Sequence, residues 1–294
     1  MFVSVEPASV CQLRCPECPV GQGTAAGSRH AEGGRPFMSM EVWGRVLNEI
    51  KRYAHTVQFY FQGEPLLNRD LPQMIREAHD AGLYTIVSTN AQAMTEPMAR
   101  DMVKAGLDRI IVSMDGLTDE SYNAYRAGGS LDKTKEALRM LRTAKVRLHA
   151  RITIELQVLR LRTNEHEWEE FRRVYRSLGA DRLVFKTAQL YDYASGHPLM
   201  PSDLKYSRYQ PVAGPDGIRY QRRPLRHGCL RVWSGAVIAT NGDVLPCCYD
   251  KMRAYAYGNI MNAPMREIYN NGKAQTFRRA AFHQKTQICQ ECWK

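Results

Sequence analysis

No cysteine occurs between residues 19 and 228, although the chain has eight. All eight thiols lie at the two ends of the sequence, as Cys11, Cys15, Cys18, Cys229, Cys247, Cys248, Cys289 and Cys292. A disulfide framework is typical of small secreted domains, whereas clustered thiols in a chain of 294 residues favour metal sites in a reducing compartment. We therefore expect a cytoplasmic metalloprotein.

Signals for a membrane or a nucleic-acid partner are also missing. The sequence has no run of about eighteen apolar residues, and residues 1–10 lack the regions of a signal peptide. Basic residues outnumber acidic ones by 41 to 30, a net charge of +11, with a concentration between Arg219 and Arg231. No helix-turn-helix, zinc-finger or aromatic RNA-binding signature accompanies them, so we expect a peptide or small-molecule substrate and neither membrane nor nucleic acid.

Strand and helix patterns alternate along the first two thirds of the chain. Six apolar runs rich in β-branched and aromatic residues read as strands: Phe2–Glu6, Val57–Phe61, Tyr84–Ser88, Ile110–Ser113, Leu148–Val158 and Leu183–Lys186. Helical patterns lie between them at about 40–53, 70–81, 95–105, 130–144 and 165–178. This alternation predicts an α/β fold with βαβ units and a parallel sheet, and six such units form a partial (β/α)6 TIM-like barrel.

Residues 190–228 break this alternation with many prolines and glycines. The segment also holds five tyrosines, too many for a disordered linker, so we expect it to pack over the barrel. The sequence thus predicts a barrel over residues 1–189, a bridging segment over 190–228 and a small cysteine-rich α+β extension over 229–294.

The first cysteines form a tight triplet, Cys11, Cys15 and Cys18, with the spacing C-x3-C-x2-C. Three such thiolates can hold a [4Fe–4S] cube and leave one iron open to a ligand that is not protein. Structural zinc, the alternative, usually takes four ligands in two separated pairs. The triplet resembles the cluster loop of the radical S-adenosylmethionine (SAM) superfamily. That family usually has an aromatic residue before the third cysteine, where this chain has Glu17, a change in what covers the cluster.

The resemblance implies where SAM binds. Ligands of parallel barrels sit at the carboxyl ends of the strands, and polar residues follow the second, third and fourth strands here. Gln62, Gly63 and Glu64 stand where the family has a Gly-Gly-Glu motif that binds the amino group of SAM. Ser113 would contact the polar part of SAM and Arg126 its carboxylate. The third strand contributes Ser88 and Asn90, although Ser and Asn are also ordinary turn residues.

Four cysteines at the other end suggest a second metal site. Cys229, Cys247, Cys289 and Cys292 would complete one cube or one zinc, and Asn241-Gly242 predicts a β-hairpin between the first two. The region resembles the SPASM/twitch extension of the same superfamily, which implies an auxiliary [4Fe–4S] cluster. Cys248 is left over, and we expect it to be a packed bystander, with substitution for Cys247 as a ligand as the alternative.

The resemblance implies an enzyme that reductively cleaves SAM to a 5′-deoxyadenosyl radical and abstracts hydrogen from a substrate, with an electron donor such as flavodoxin or ferredoxin. A fully ligated second cluster can only move electrons, which favours oxidation of the substrate. One alternative is a maturase of a ribosomally made peptide, a class that often has a peptide-binding domain before the barrel. Another is a non-catalytic electron carrier. Lys186, Tyr191 and Asp192, at the end of the sixth strand, are candidate catalytic residues.

Overall fold

The computed structural model describes residues 1–24, 36–215, 217–223, 229–290 and 292. Six parallel strands form the barrel sheet in the order in which they occur in the sequence. They are β1 (Phe2–Val5), β2 (Thr56–Phe59), β3 (Tyr84–Thr89), β4 (Arg109–Ser113), β5 (Thr153–Arg160) and β6 (Arg182–Thr187). The predicted partial α/β barrel is confirmed.

Helices return the chain between the strands. They are α1 (Met40–Ile50), α2 (Leu71–Asp80), α3 (Glu96–Lys104), α4 (Asp119–Asn123), α5 (Leu131–Arg147) and α6 (Trp168–Val174). Several begin at a side-chain cap, because Ser39, Thr95 and Ser130 each accept a hydrogen bond from a backbone N–H in the first turn. Their apolar faces pack on the outward residues of the strands, such as Val57 and Phe59 of β2.

One predicted strand begins later than expected. The apolar run Leu148–Val158 was predicted as one strand, but α5 continues to Arg147 and β5 begins only at Thr153. Leu148 caps the helix, and His149 has a left-handed backbone with φ of 49°. The end of α5 and its cap therefore occupy the start of the apolar run, and the strand forms only in its second half.

The bridging segment forms a small hairpin of its own. Strands β7 (Tyr209–Gly214) and β8 (Gly217–Arg222) pair antiparallel, apart from the main sheet. Residues 216 and 224–228 of this segment lie outside the described residues. The segment packs against the cysteine loop in an apolar cluster that contains Leu13, Cys15, Leu190 and Leu199.

The C-terminal extension continues the barrel sheet. It contains α7 (Arg231–Ser234), β9 (Gly235–Ile238), β10 (Asp243–Leu245), β11 (Gly258–Asn259), α8 (Met265–Asn270), α9 (Gly272–Phe282) and α10 (Gln287–Gln290). β9 pairs in parallel with β1 and antiparallel with β10, which confirms the hairpin predicted at Asn241-Gly242. The hairpin's first strand is shorter than its apolar sequence suggests, since residues 231–234 are helical. Within the described part of the chain, no helix is long and apolar enough to cross a membrane.

Candidate functional site

A cavity of about 210 Å³ lies where the cysteine loop meets the carboxyl ends of β2, β3 and β4. Its lining residues are Cys11, Leu13, Cys15, Cys18, Tyr60, Phe61, Gly63, Glu64, Ser88, Thr89, Asn90, Ser113, Tyr125 and Arg126. The cavity thus brings together the cysteine triplet and the predicted SAM positions, except Gln62. Tyr60 and Phe61 were not predicted, although Tyr60 comes directly after a strand at this edge of the sheet.

Gly63 allows the loop after β2 to approach the cysteine loop closely. Its φ is 64°, and a Cβ at this position would lie 2.2 Å from the carbonyl oxygen of Ala8. Only glycine fits both conditions without strain. The adjacent Glu64 N–H donates to the carbonyl oxygen of Val10 at 2.8 Å, just before Cys11. These contacts set the carboxylate of Glu64 beside the triplet.

The Glu64 carboxylate is buried and retains room for one more donor. Its Oε1 accepts hydrogen bonds from Leu66 N and Thr89 Oγ1, and its Oε2 accepts one from Asn90 N at 2.8 Å. A carboxylate has about four acceptor sites, so one remains on Oε2. Burial raises the pKa of Glu64, against the effect of these donors. A cation at this oxygen would therefore offset a large desolvation cost.

Asn90 joins this carboxylate to the triplet. Its backbone N–H donates to the Glu64 carboxylate. Its side-chain Nδ2 donates to Cys11 Sγ at 3.4 Å. Its Oδ1 accepts from Gln12 Nε2 at 3.0 Å. A hydrogen bond donated to the sulfur stabilises negative charge on the thiolate.

Arg126 also lines the cavity and is held by an ion pair. Its Nε lies 2.6 Å from Asp115 Oδ2, and Asp115 is fully buried. The Asp115 carboxylate also accepts a hydrogen bond from Leu159 N at 2.6 Å, so β5 fixes its orientation. Because a guanidinium has five N–H donors, Arg126 keeps donors for a further anion. Asp115 is therefore a positioning residue for Arg126.

The thiols of the triplet fit an iron–sulfur cluster. Burial raises the pKa of Cys11 to about 12. Burial also raises the pKa of Cys15, although the charge of Arg126 works against it. Such thiols bind iron only as thiolates, and the positive charge of the metal compensates their burial. Three of them around one cavity match the donor set of a cube with one open iron.

Glu17 ties the cysteine loop to the bridging segment. Its Oε2 accepts a hydrogen bond from Tyr191 N at 2.8 Å, and its Oε1 lies 3.2 Å from His197 Nε2. The other nitrogen of His197, Nδ1, accepts from Leu199 N, so Nε2 is the one that carries the proton toward Glu17. Glu17 therefore anchors a segment over the triplet at the position where sequence analysis expected a changed cover.

The remaining predicted positions lie away from the cavity. Lys186 and Asp192 are exposed, and Tyr191 is 43% exposed, with none of the three among the cavity's lining residues. Gln62 is buried, and its side-chain amide donates to the carbonyl oxygen of Lys251 in the extension. The roles of these four residues stay predictions.

A second cavity gathers the C-terminal cysteines. Cys229, Cys247, Cys248, Cys289 and Cys292 all line it, together with residues of α7 and α9. Burial raises the pKa of Cys247 to about 12 and that of Cys292 to about 11. Cys248, expected to be a bystander, lines the same cavity as the four predicted ligands.

Zinc and a cube differ in how far apart their thiolate ligands stand. Among the described residues, which include all eight cysteines, no three Cys, His, Asp or Glu side chains converge on a single ion. A zinc site requires all ligands within about 2.3 Å of one atom. A cube instead offers a separate iron to each thiolate, so its ligands stand farther apart.

A fold of this type with two cysteine-lined cavities defines an iron–sulfur enzyme. The family model of the radical SAM superfamily matches residues 5–175, and that of SPASM, an iron–sulfur cluster-binding domain, matches residues 229–293. The chain therefore belongs to the radical SAM superfamily and carries a SPASM domain. It is an enzyme that uses SAM, a SAM-binding [4Fe–4S] cluster and an auxiliary [4Fe–4S] cluster.

Curated relatives are similar to most of the chain. The chain is 25% identical to a PqqA peptide cyclase of Rhodopseudomonas palustris, over 93% of this chain and 74% of the relative. It is also 25% identical to a PqqA peptide cyclase of Xanthomonas oryzae pv. oryzae, over 100% of this chain and 80% of the relative.

Solved structures share the fold at lower identity. The structure of BtrN in complex with AdoMet and 2-DOIA is 20% identical with a TM-score of 0.58, over 99% of this chain and 92% of that chain. That of anSMEcpe with bound AdoMet is 16% identical with a TM-score of 0.71, over 99% and 84%.

Proposed function

We propose that the protein removes one hydrogen atom from its substrate and then one electron and one proton, so that the substrate loses two hydrogen atoms. The observation that carries this proposal is the second cavity, where five thiols surround a site separate from the SAM positions. A cluster ligated by four thiolates has no open iron for substrate, so it serves electron transfer. Cys229, Cys247, Cys289 and Cys292 are the proposed ligands.

The cavity beside the triplet supplies the hydrogen-abstraction site. When bound there, the first cluster and SAM together supply a 5′-deoxyadenosyl radical. Cys11, Cys15 and Cys18 would hold that cluster. Glu64 would bind the ammonium group of SAM through its remaining acceptor site, and Arg126 the carboxylate. Ser88, Asn90 and Ser113 line the space between them.

The substrate is a peptide or a small molecule, and a peptide is supported by the curated relatives. Both relatives carry the name PqqA peptide cyclase and match at least 93% of this chain. Formation of a new bond within a peptide and oxidation of an alcohol each remove two hydrogen atoms, so the proposed chemistry covers both. We propose a one-electron carrier such as flavodoxin or ferredoxin as the partner.

A double variant of the extension tests the proposed role of the second cluster. The reconstituted protein should hold about eight irons, and Cys289→Ala/Cys292→Ala about four. This variant should keep the slow cleavage of SAM to 5′-deoxyadenosine, because the proposed cleavage site lies within residues 11–126, and should lose product. Anaerobic chromatography measures both compounds. A variant with four irons and full product yield would refute electron transfer through the second cluster.

The substrate class is tested by offering both classes to the same enzyme. Candidate peptides are those encoded beside the gene, and candidate small molecules are amino-sugar alcohols. A true substrate should raise 5′-deoxyadenosine above the rate without substrate and should lose two hydrogen atoms by mass spectrometry. Faster formation of 5′-deoxyadenosine without any change in the mass of the added compound would contradict the proposed oxidation.

A further inference from the structure

Arg208 of the bridging segment joins the end of β6 to the chain that carries Cys247. Its Nε donates to Thr187 Oγ1 and its Nη2 to the carbonyl oxygen of Thr187, both at 2.9 Å. Two parallel bonds of this kind fix the plane of a guanidinium. The third nitrogen, Nη1, donates to the hydroxyl oxygen of Tyr249 at 3.1 Å. Arg208 therefore sets the position of the Tyr249 hydroxyl.

Tyr249 contacts two of the proposed ligands of the auxiliary cluster. It follows Cys247 and Cys248 in the sequence and lines the same cavity as Cys292. Because its oxygen accepts from Arg208, the phenol keeps its own proton to donate. The acceptor is Cys292 Sγ, and this hydrogen bond lowers the pKa of Cys292 against the effect of burial. The backbone N–H of Tyr249 acts on the pKa of Cys247 in the same direction.

A second arginine of the bridging segment reaches the same side of the cavity. Arg222 of β8 donates from Nη1 to the carbonyl oxygen of Cys292, and its charge lowers the pKa of Cys289 against the effect of burial. Arg222 pairs with Tyr209 of β7, the residue after Arg208. The hairpin of the bridging segment thus brings two positive charges to the side of the cavity where the last two cysteines lie.

Hydrogen bonds to ligand sulfurs and nearby positive charge both favour the more negative, reduced state of an iron–sulfur cluster, so they raise its reduction potential. We propose that Tyr249, oriented by Arg208, raises the reduction potential of the auxiliary cluster through its hydrogen bond to Cys292 Sγ. Arg208 is a positioning residue, since it acts through the phenol. The proposal rests on the proposed ligands Cys247 and Cys292. A higher potential favours electron transfer from substrate to cluster, the direction that the proposed function requires.

An anaerobic redox titration of the reconstituted holoenzyme, followed by electron paramagnetic resonance, tests the proposal. The auxiliary signal is the one that added SAM leaves unchanged. Tyr249→Phe removes the hydroxyl and keeps the ring. It should lower the auxiliary midpoint potential by an amount that changes the one-electron equilibrium at least tenfold, about 59 mV. The matched control is Tyr255→Phe, because Tyr255 belongs to the same extension and its ring packs on Phe277 of the same cavity, with centroids 5.1 Å apart. Its potential should equal that of the wild type.

The positioning role of Arg208 has a separate test. Arg208→Lys keeps the charge but cannot hold Thr187 and the Tyr249 hydroxyl with one planar group, so it should lower the potential in the same direction. Adding Arg208→Lys to Tyr249→Phe should lower the potential no further, because both changes remove one interaction. Should Tyr249→Phe hold about four irons instead of about eight, Arg208→Lys, which retains the phenol, carries the test.

Three results would overturn the assignment. An unchanged potential in a fully loaded Tyr249→Phe would show that the hydroxyl does not act on the cluster. An equal shift in Tyr255→Phe would trace the effect to a general disturbance of the extension. Additive shifts in the double variant would mean that Arg208 acts independently of Tyr249. Because the titration needs no substrate, a lowered potential in Tyr249→Phe together with full product formation by Cys289→Ala/Cys292→Ala would count against the proposed function and not against Tyr249.

Discussion

At the scale of single residues, Glu64 connects the parts of the candidate site. Its carboxylate is bonded to the loop after β2, to the end of β3 and, through Asn90, to Cys11. An alanine here would remove the only acidic side chain among the described residues that line the cavity. The local contacts use three acceptor sites and leave one, which is why we assign the ammonium group of SAM to it.

We expect Glu64→Ala to weaken SAM binding by about tenfold to a hundredfold, since hydrogen bonds to charged groups contribute about 1.5–3 kcal/mol. Thr89→Val keeps the carboxylate and loses one of its donors, so it should weaken binding less. Equilibrium binding of SAM to the reconstituted proteins measures both effects. Unchanged affinity in Glu64→Ala would show that the ammonium group binds elsewhere.

Most residues of the cavity could be predicted from the sequence for a geometric reason. The carboxyl ends of parallel strands meet at one edge of a sheet, so Glu64, Asn90 and Ser113 had to lie near one another once the strands were recognised. The partners of Glu17 could not be predicted. Tyr191 is 174 positions away in the chain, and no local pattern encodes a hydrogen bond to its backbone.

At the scale of elements, two carboxylates hold the bridging segment. Glu17 accepts from Tyr191 N and faces His197, while Glu165 accepts from the backbone N and the hydroxyl of Ser202 at 2.8 and 2.7 Å. Only Glu17 belongs to the cysteine loop. The two contacts are therefore similar in chemistry and differ in their distance along the chain from the triplet.

We expect Glu17→Ala to let air reach the first cluster faster. Loss of a hydrogen bond to a charged group of about 1.5 kcal/mol makes opening of the segment about ten times more frequent. The decay of cluster absorbance in air measures the effect on protein that starts with full iron content. Glu165→Ala is the matched control and should decay at a rate close to that of the wild type. Equal rates in all three proteins would mean that Glu17 does not control access.

Element types were predicted better than element ends. The six strands were recognised from apolar runs, but the positive φ of His149 that separates α5 from β5 has no signal in an apolar sequence. Hairpin β7–β8 was read only as a packed bridging segment. Its strands contain Pro211 and many exposed residues, so they lack the regular alternation of a half-buried strand.

At the scale of the whole molecule, a buried ion pair joins the barrel to the extension. Glu6 follows β1 and is fully buried, and its Oε2 accepts from Arg253 Nη2 at 2.8 Å. Its Oε1 has no hydrogen-bond partner among the residues that the structure describes. Burial outweighs the attraction of Arg253 and raises the pKa of Glu6 to about 7.

This shift predicts how stability depends on pH. The pKa of Glu6 in the folded protein lies above its value of 4.5 in the unfolded chain, so its contribution to stability is complete below pH 4.5 and is lost as pH rises through about 7. We expect the thermal midpoint of the reconstituted protein, measured anaerobically, to fall as the pH rises from about 5 to about 7 and to level off above that. The fall should be smaller in Glu6→Gln. An equal fall in both proteins would exclude Glu6 as its source.

The pairing of β1 with β9 has a consequence for synthesis. β1 is made long before β9, so one of its two edges finds its partner only when residues 235–238 have been made. Until then the growing barrel presents the open edge of a buried strand, which other chains can pair with. Truncation before β9 would leave that edge open permanently. The extension thus supplies β9, the strand that covers the open edge of β1, late in synthesis. We expect the chain to be prone to aggregation until β9 has paired.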